Sequence, residues 1–265
     1  MKRLAAHWPE YLIEATCLAL FMISAAAAAT VLQHPASPFV AWGATPLLQR
    51  IPMGIAMGLT AVALIYSPFG ARSGAHMNPA VTLTFLRLGK IAAVDAVGYI
   101  TAQFVGGAAG IAAATWALGG RPGHPSVNYV ATLPGTAGSG IAFAAELLIS
   151  FLMMLTVLGM SNTPRLARFT GMGAGILVAI YIVVEAPLSG MSMNPARTLG
   201  SNVLASTVST LWIYFIAPPI GMLLAAEWYA HRHGQARVRC AKLHHPSHVR
   251  CIFCLWALGA SHDLD

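Results

Sequence analysis

An eleven-residue segment occurs twice in the chain. Ser73-Gly74-Ala75-His76-Met77-Asn78-Pro79-Ala80-Val81-Thr82-Leu83 returns as Ser189-Gly190-Met191-Ser192-Met193-Asn194-Pro195-Ala196-Arg197-Thr198-Leu199, identical at eight of eleven positions and offset by 116 residues. Asparagine favours a helix N-cap, and proline suits the first helical position, where its missing N–H costs nothing. Each copy therefore predicts a short helix, over 79–88 ahead of Gly89 and over 195–205, each about 15 Å long or half a membrane. A helix N-terminus carries about half a positive charge. Two of them pointing at one spot repel a cation, while each asparagine amide donates to the oxygen of a neutral molecule. The chemistry predicted is discrimination: neutral hydrogen-bonding molecules are admitted, and protons and cations are turned back.

The elements that must hold such a junction are apolar. Of the 265 residues 57% are hydrophobic and only 9% are charged, against about 25% charged in soluble domains, so a water-soluble enzyme is excluded. Six stretches, at 11–33, 51–67, 91–118, 139–160, 169–188 and 210–230, approach or exceed the about 20 residues that cross a hydrocarbon core of about 30 Å. The first is too long for a cleaved signal and reads as a permanent span. The repeated segment follows the second and the fifth stretch. Three spans per half is an odd number, so the second half enters from the opposite face. The fold class expected is an all-α membrane protein with six transmembrane helices, two half-membrane re-entrant helices and an inverted 3+3 repeat, its path at the interface of the halves. Irregular backbone at that depth must be buried in protein or line a watery cavity.

Fifteen Lys and Arg against eight acids give a net charge of +7. Twelve of the fifteen fall on one side, at Lys2, Arg3, Arg72, Arg87, Lys90, Arg165, Arg168 and five tail positions. Cytoplasmic loops retain positive charge, so both termini are expected in the cytoplasm, and the basic excess reports topology and a lipid bilayer partner, not nucleic acid. Arg197 lies among apolar residues, where insertion costs about 2.5–3.5 kcal/mol, and so requires a purpose or a wet surround. The glycine pairs 54/58, 106/110 and 171/175 predict close helix approach. Asp95 reads as interfacial, Glu185 as bonding loop backbone or facing the vestibule, and 119–138 as a flexible outer loop over the mouth. The tail is unlike the rest. Cys240, His244, His245, His248, Cys251 and Cys254 are soft ligands at short spacings that suit zinc or another transition metal, although the order matches no recognised finger. The alternative is a basic tail lying on anionic lipid. No cofactor is required elsewhere.

The paired Asn-Pro-Ala motifs, in the contexts SGAHMNPAVTL and SGMSMNPARTL with six spans around them, resemble the aquaporin (major intrinsic protein) family over approximately residues 10–231. The resemblance implies a passive channel for water and other small uncharged solutes, excluding ions and protons, with no enzymatic activity. It implies a homotetramer in the plasma membrane, with a cytoplasmic N-terminus at 1–10, a channel domain at 11–231 (repeats 11–118 and 139–231) and a tail at 232–265. Asn78, Pro79, Ala80, Asn194, Pro195 and Ala196 become pore motifs; Glu14 and Glu146 match the acids that support the pore loops, and Gln103 their usual companion. Arg197 matches the constriction arginine, with Met191, Ile182 and Met57 beside it, or Gly58 if the extra residue in Ser67-Pro68-Phe69-Gly70 shifts the register. The sequence also departs from the family. Water-selective members carry His in place of Ile182 and an aromatic in place of Met57, and glycerol-conducting members carry Asp in place of Thr198. The resulting apolar wall is deformable, because methionine is unbranched. Water is the first expected cargo. A facilitator of glycerol, urea, ammonia or a metalloid acid is the alternative; a coupled transporter, or a membrane sensor using its Cys/His tail, is further off.

Overall fold

The computed structural model describes residues 2–42 and 45–254, and among them the regular structure is entirely helical. Six helices are long and apolar enough to cross a membrane: α1 (Lys2–Gln33), α2 (Pro46–Tyr66), α5 (Ala93–Ala117), α6 (Ser139–Ser161), α7 (Thr170–Val184, preceded by a 3-10 turn from Ala167) and α10 (Leu211–His233). Four short helices lie between them: α3 (Pro68–Ser73), α4 (Pro79–Arg87), α8 (Ala186–Ser189) and α9 (Pro195–Leu204). Large apolar side chains cover the outside, with Leu59, Val97 and Val184 at 64%, 64% and 68% exposure, while carboxylates are buried within. That inversion of the soluble pattern marks an integral membrane protein.

Local chemistry sets the boundaries. Thr45 caps α2 through Oγ1, and Pro46 occupies its first position. Ser67 ends α2 and caps α3, accepting from Gly70 N–H at 3.0 Å. α1 begins at Lys2, ahead of the apolar stretch that starts at Tyr11, so residues 2–10 form its first turns. The polar groups there are paired. Glu10 receives Arg72 Nε at 3.0 Å, while Asp95 meets His7 Nδ1 at 2.7 Å and Tyr11 Oη at 2.6 Å. Asp95 is therefore a buried tie between α1 and α5. α7 stops at Val184 and α8 takes over, because Pro187 has no N–H to donate and its ring crowds the preceding turn.

The halves interlock. α1 packs along α5 and α6 along α10, and α2 meets α7 across the molecule; α4 leans on α10 and α9 on α5, so each half-helix rests on the third span of the other repeat. Absent side chains permit this. A Cβ at Gly106 would lie 2.2 Å from Ala15 O, and one at Gly58 2.6 Å from Gly175 O. Gly106→Val is expected to force α1 from α5 and cost about 2 kcal/mol or more, seen as a lower midpoint of thermal denaturation in detergent. An unchanged midpoint would mean that the two helices are not held at backbone contact.

Candidate functional site

Asn78 and Asn194 cap α4 and α9. Asn78 Oδ1 accepts from Ala80 N–H at 2.9 Å, and Asn194 Oδ1 from Ala196 N–H at 3.0 Å and Arg197 N–H at 3.2 Å. The amide nitrogens cross over: Asn78 Nδ2 donates to Met193 O and Asn194 Nδ2 to Met77 O, both at 2.7 Å. One N–H of each amide remains, and both asparagines line a cavity of about 310 Å3. Met57, Ile182, Met191 and Arg197 line it too. Gly58 does not; it is spent on the contact with Gly175. Pro79, Ala80, Pro195 and Ala196 are buried behind the junction.

The loops leading to each asparagine are strained, and acids hold them. Ala75, Met77, Met191 and Met193 have φ of 55°, 48°, 52° and 55°, a left-handed region that non-glycine residues enter at a cost of order 1–3 kcal/mol. Glu14 Oε1 accepts from Ser73 Oγ at 2.7 Å and His76 N–H at 3.1 Å; its Oε2 accepts from Met77 N–H at 2.6 Å and Gln103 Nε2 at 2.8 Å. Glu146 repeats the pattern with Ser189 Oγ, Ser192 N–H and Met193 N–H, each at 2.7 Å. Two tyrosines complete the symmetry: Tyr99 Oη donates to Ser73 O at 2.7 Å and Tyr214 Oη to Ser189 O at 2.5 Å. Sequence reasoning missed these. Their signal was a tyrosine recurring 115 residues on, almost in step with the repeat.

Arg197 finds its partner in the connection between the repeats. Its Nη1 donates to Thr132 Oγ1, and Thr132 is locked by Asn202, which accepts from Thr132 N–H at 3.0 Å and donates to Thr132 O at 2.9 Å. Gly135 N–H also donates to Leu188 O at 2.9 Å. The connection expected to be a flexible cover is thus anchored into the site. Glu185 is buried, neither carboxylate oxygen has a hydrogen-bond partner among the described residues, and it does not line the cavity.

At the end of the molecule where α1 begins and α10 ends, the tail meets the first loop. Leu243 N–H donates to Gly74 O at 3.1 Å, His76 Nε2 donates to Ala241 O at 2.6 Å, and Lys242 Nζ donates to Ala71 O at 2.7 Å. The His76 ring stacks between Phe85 and Phe253, at 5.2 and 5.7 Å. His76 and Leu243 both line the cavity. Burial lowers the Lys242 ammonium from the usual lysine range. Arg250 Nη2 donates to Ala6 O at 3.3 Å, which puts the two ends of the described chain on one face. The six tail ligands do not all converge. Cys240, His245, Cys251 and Cys254 bring their ligand atoms within 4.8 Å of one another. His244 turns instead to the Tyr66 ring, 4.8 Å away, and His248 is exposed outside the group. The last tail residues, 255–265, lie outside the described ones.

Comparison with known proteins places these observations in context. A sequence profile described as Major intrinsic protein matches residues 2–229. Glycerol uptake facilitator protein-like 6 of Lactiplantibacillus plantarum is 39% identical over 184 residues, covering 66% of this chain and 82% of that protein. Aquaporin NIP1-3 of Oryza sativa is 36% identical over 177 residues, again 66% of this chain but only 59% of the relative, so the chain spans less than two thirds of that plant protein's length. The X-ray structure of the aquaglyceroporin from Plasmodium falciparum superposes with a TM-score of 0.67 at 20% identity, covering 84% of this chain and 95% of that one; it is similar in fold.

Proposed function

The chain belongs to the major intrinsic protein family, an integral membrane channel family and not one of enzymes, and from that premise we propose that it conducts water down its osmotic gradient while excluding ions and protons. One observation carries the reading: a single cavity runs past the crossed amides of Asn78 and Asn194 and past Arg197. A molecule at the junction meets one free N–H from each asparagine and the N-termini of two half-helices, so its oxygen is favoured there and a cation is not. Met57, Ile182 and Met191 form the constriction beside Arg197, and Glu14 and Glu146 hold the loops. Both termini are cytoplasmic, since the basic residues gather on that face, in the plasma membrane. The protein assembles as a homotetramer, checked by chemical cross-linking to a ladder that ends at four chains.

A second reading is favoured by the apolar wall of Met57, Ile182 and Met191 and by a relative named a glycerol uptake facilitator-like protein. In it, glycerol, urea, ammonia or a metalloid acid is the cargo and water is secondary. Stopped-flow light scattering on proteoliposomes separates the two. Under an impermeant osmolyte, fast shrinkage is expected; under glycerol or urea, slow re-entry. Fast re-entry selects the facilitator, and no flux in either assay, including in a chain ending at Gly234, rejects the channel reading.

A further inference from the structure

The segment from Val238 to Cys254 is irregular save for a last short turn, yet it is buried: Ala241, Lys242, Ile252 and Phe253 are no more than 2% exposed. Its main-chain groups are held at scattered points and not in a ladder: Val238 N–H by Gln235 O at 3.1 Å, Arg239 N–H by Asn162 Oδ1 at 2.8 Å, Leu243 N–H by Gly74 O, Val249 N–H by Pro246 O at 3.2 Å and Cys254 N–H by Cys251 Sγ, with Ala241 O and Arg250 O accepting from His76 and Lys242. An irregular stretch of this length in a fixed conformation calls for a further constraint, and the side chains gathered in it are metal ligands. We propose that Cys240, His245, Cys251 and Cys254 form a structural zinc site, and that the ion pins the tail as a stopper in the termini-side mouth of the pore. The stopper half rests on the channel reading above; the metal half does not.

The donor set fits zinc. Three thiolates and one imidazole make a closed tetrahedral site, with sulfurs about 3.8 Å apart when Zn–S is about 2.3 Å. Cys240 Sγ and Cys251 Sγ are 3.5 Å apart, and His245 Nε2 and Cys254 Sγ 3.3 Å. Cys254 N–H already points at Cys251 Sγ, at 3.4 Å, the kind of outer bond that orients a ligand. Binding displaces the thiol protons and leaves one net negative charge. A buried cation offsets it: Lys242 Nζ is 2.7 Å from the carbonyl of Arg250, next to Cys251. The ligands also bracket the residues that touch the pore. Ala241 and Leu243, bonded to His76 and Gly74, lie between Cys240 and His245; Phe253, stacked on His76, lies between Cys251 and Cys254. Fixing four ligands therefore fixes both contacts.

The test uses the full chain, purified with zinc present and reconstituted. Plasma mass spectrometry is expected to find one zinc per chain, lost in Cys251→Ser and in Cys254→Ser. Trypsin should cut slowly after buried Lys242, and about tenfold faster once a chelator has removed the metal. Chelation should also raise water flux about tenfold, within the bias of about 100-fold that an ion at 100 times its Kd gives the docked state. A chain ending at Gly234 should conduct at the raised level whatever the zinc. Zinc absent from the wild type, zinc retained in both variants, or an intact mass lacking two hydrogens, as a Cys240–Cys251 disulfide would give, overturns the site. Unchanged trypsin cleavage overturns the pinning. Accelerated cleavage with unchanged flux overturns the stopper. If neither the wild type nor the chain ending at Gly234 conducts while zinc and cleavage behave as expected, the channel reading fails, the stopper falls with it, and the metal site stands.

Discussion

Glu146→Gln is expected to cut osmotic permeability per inserted chain by about tenfold or more and to lower thermal stability in detergent. Three donors converge on this carboxylate, from Ser189, Ser192 and Met193. A glutamine offers one carbonyl oxygen, which satisfies two of them, and an amide N–H₂ that faces the third as a second donor. A buried donor left without an acceptor costs about 1–3 kcal/mol. The left-handed conformation of Met193 then loses the bond that offsets strain of order 1–3 kcal/mol. The loop should leave its seat, taking with it Asn194, the cap of α9. Ser189→Ala removes one donor and takes the acceptor from Met191 N–H, bonded to Ser189 Oγ at 3.0 Å, but leaves the carboxylate in place to hold Ser192 and Met193, so its effect should be smaller. Wild-type flux and stability in Glu146→Gln would show that something else holds the loop.

Arg197→Val should produce the opposite signature: water flux retained, glycerol entry faster and cation exclusion weakened. The guanidinium stands in the cavity wall, with Nη1 bonded to Thr132. Valine removes both bulk and charge. A unit charge about 4 Å from a passing cation contributes about 4 kcal/mol at an effective dielectric of 20, so cation leak is expected to rise by at most about 1000-fold. The half-helix termini remain as the residual barrier. Voltage-clamped proteoliposomes carrying a pH dye and a sodium dye read this directly. Exclusion as tight as in the wild type would assign selectivity to the Asn78–Asn194 junction alone.

How much of this was legible before the structure follows from the range of each interaction. The six spans and the two half-helices are written locally, in apolar runs and in Asn-Pro caps, and the structure places them within a few residues of expectation except where tertiary pairing intervened. α1 runs on to Lys2 because Glu10 finds Arg72 on α3, and His7 and Tyr11 find Asp95 on α5. Thr132 was invisible because its partners, Arg197 and Asn202, lie 65 and 70 residues away and nothing periodic marks the connection. The seat of the tail was equally hidden: Ala241 and Lys242 bond residues 165 and 171 positions earlier. Within the tail, composition pointed to metal ligands but not to which of them meet. That depended on how the tail bends at Leu243 and His244, which turns His244 to Tyr66 and leaves His245 with the cysteines.

The crossed amides of Asn78 and Asn194 bear on how cargo moves. Each repeat finishes its own loop with a bond to the other, at the depth where a carrier with inverted repeats would rock one half against its twin. Such a swing would break both 2.7 Å bonds at once and pull α4 and α9 from the third spans they rest on. A molecule so fastened has no alternating-access cycle to run. Its flux should grow linearly with the gradient, show no acceleration by cargo on the far side, and stay fast in the cold, where a conformational turnover would stall.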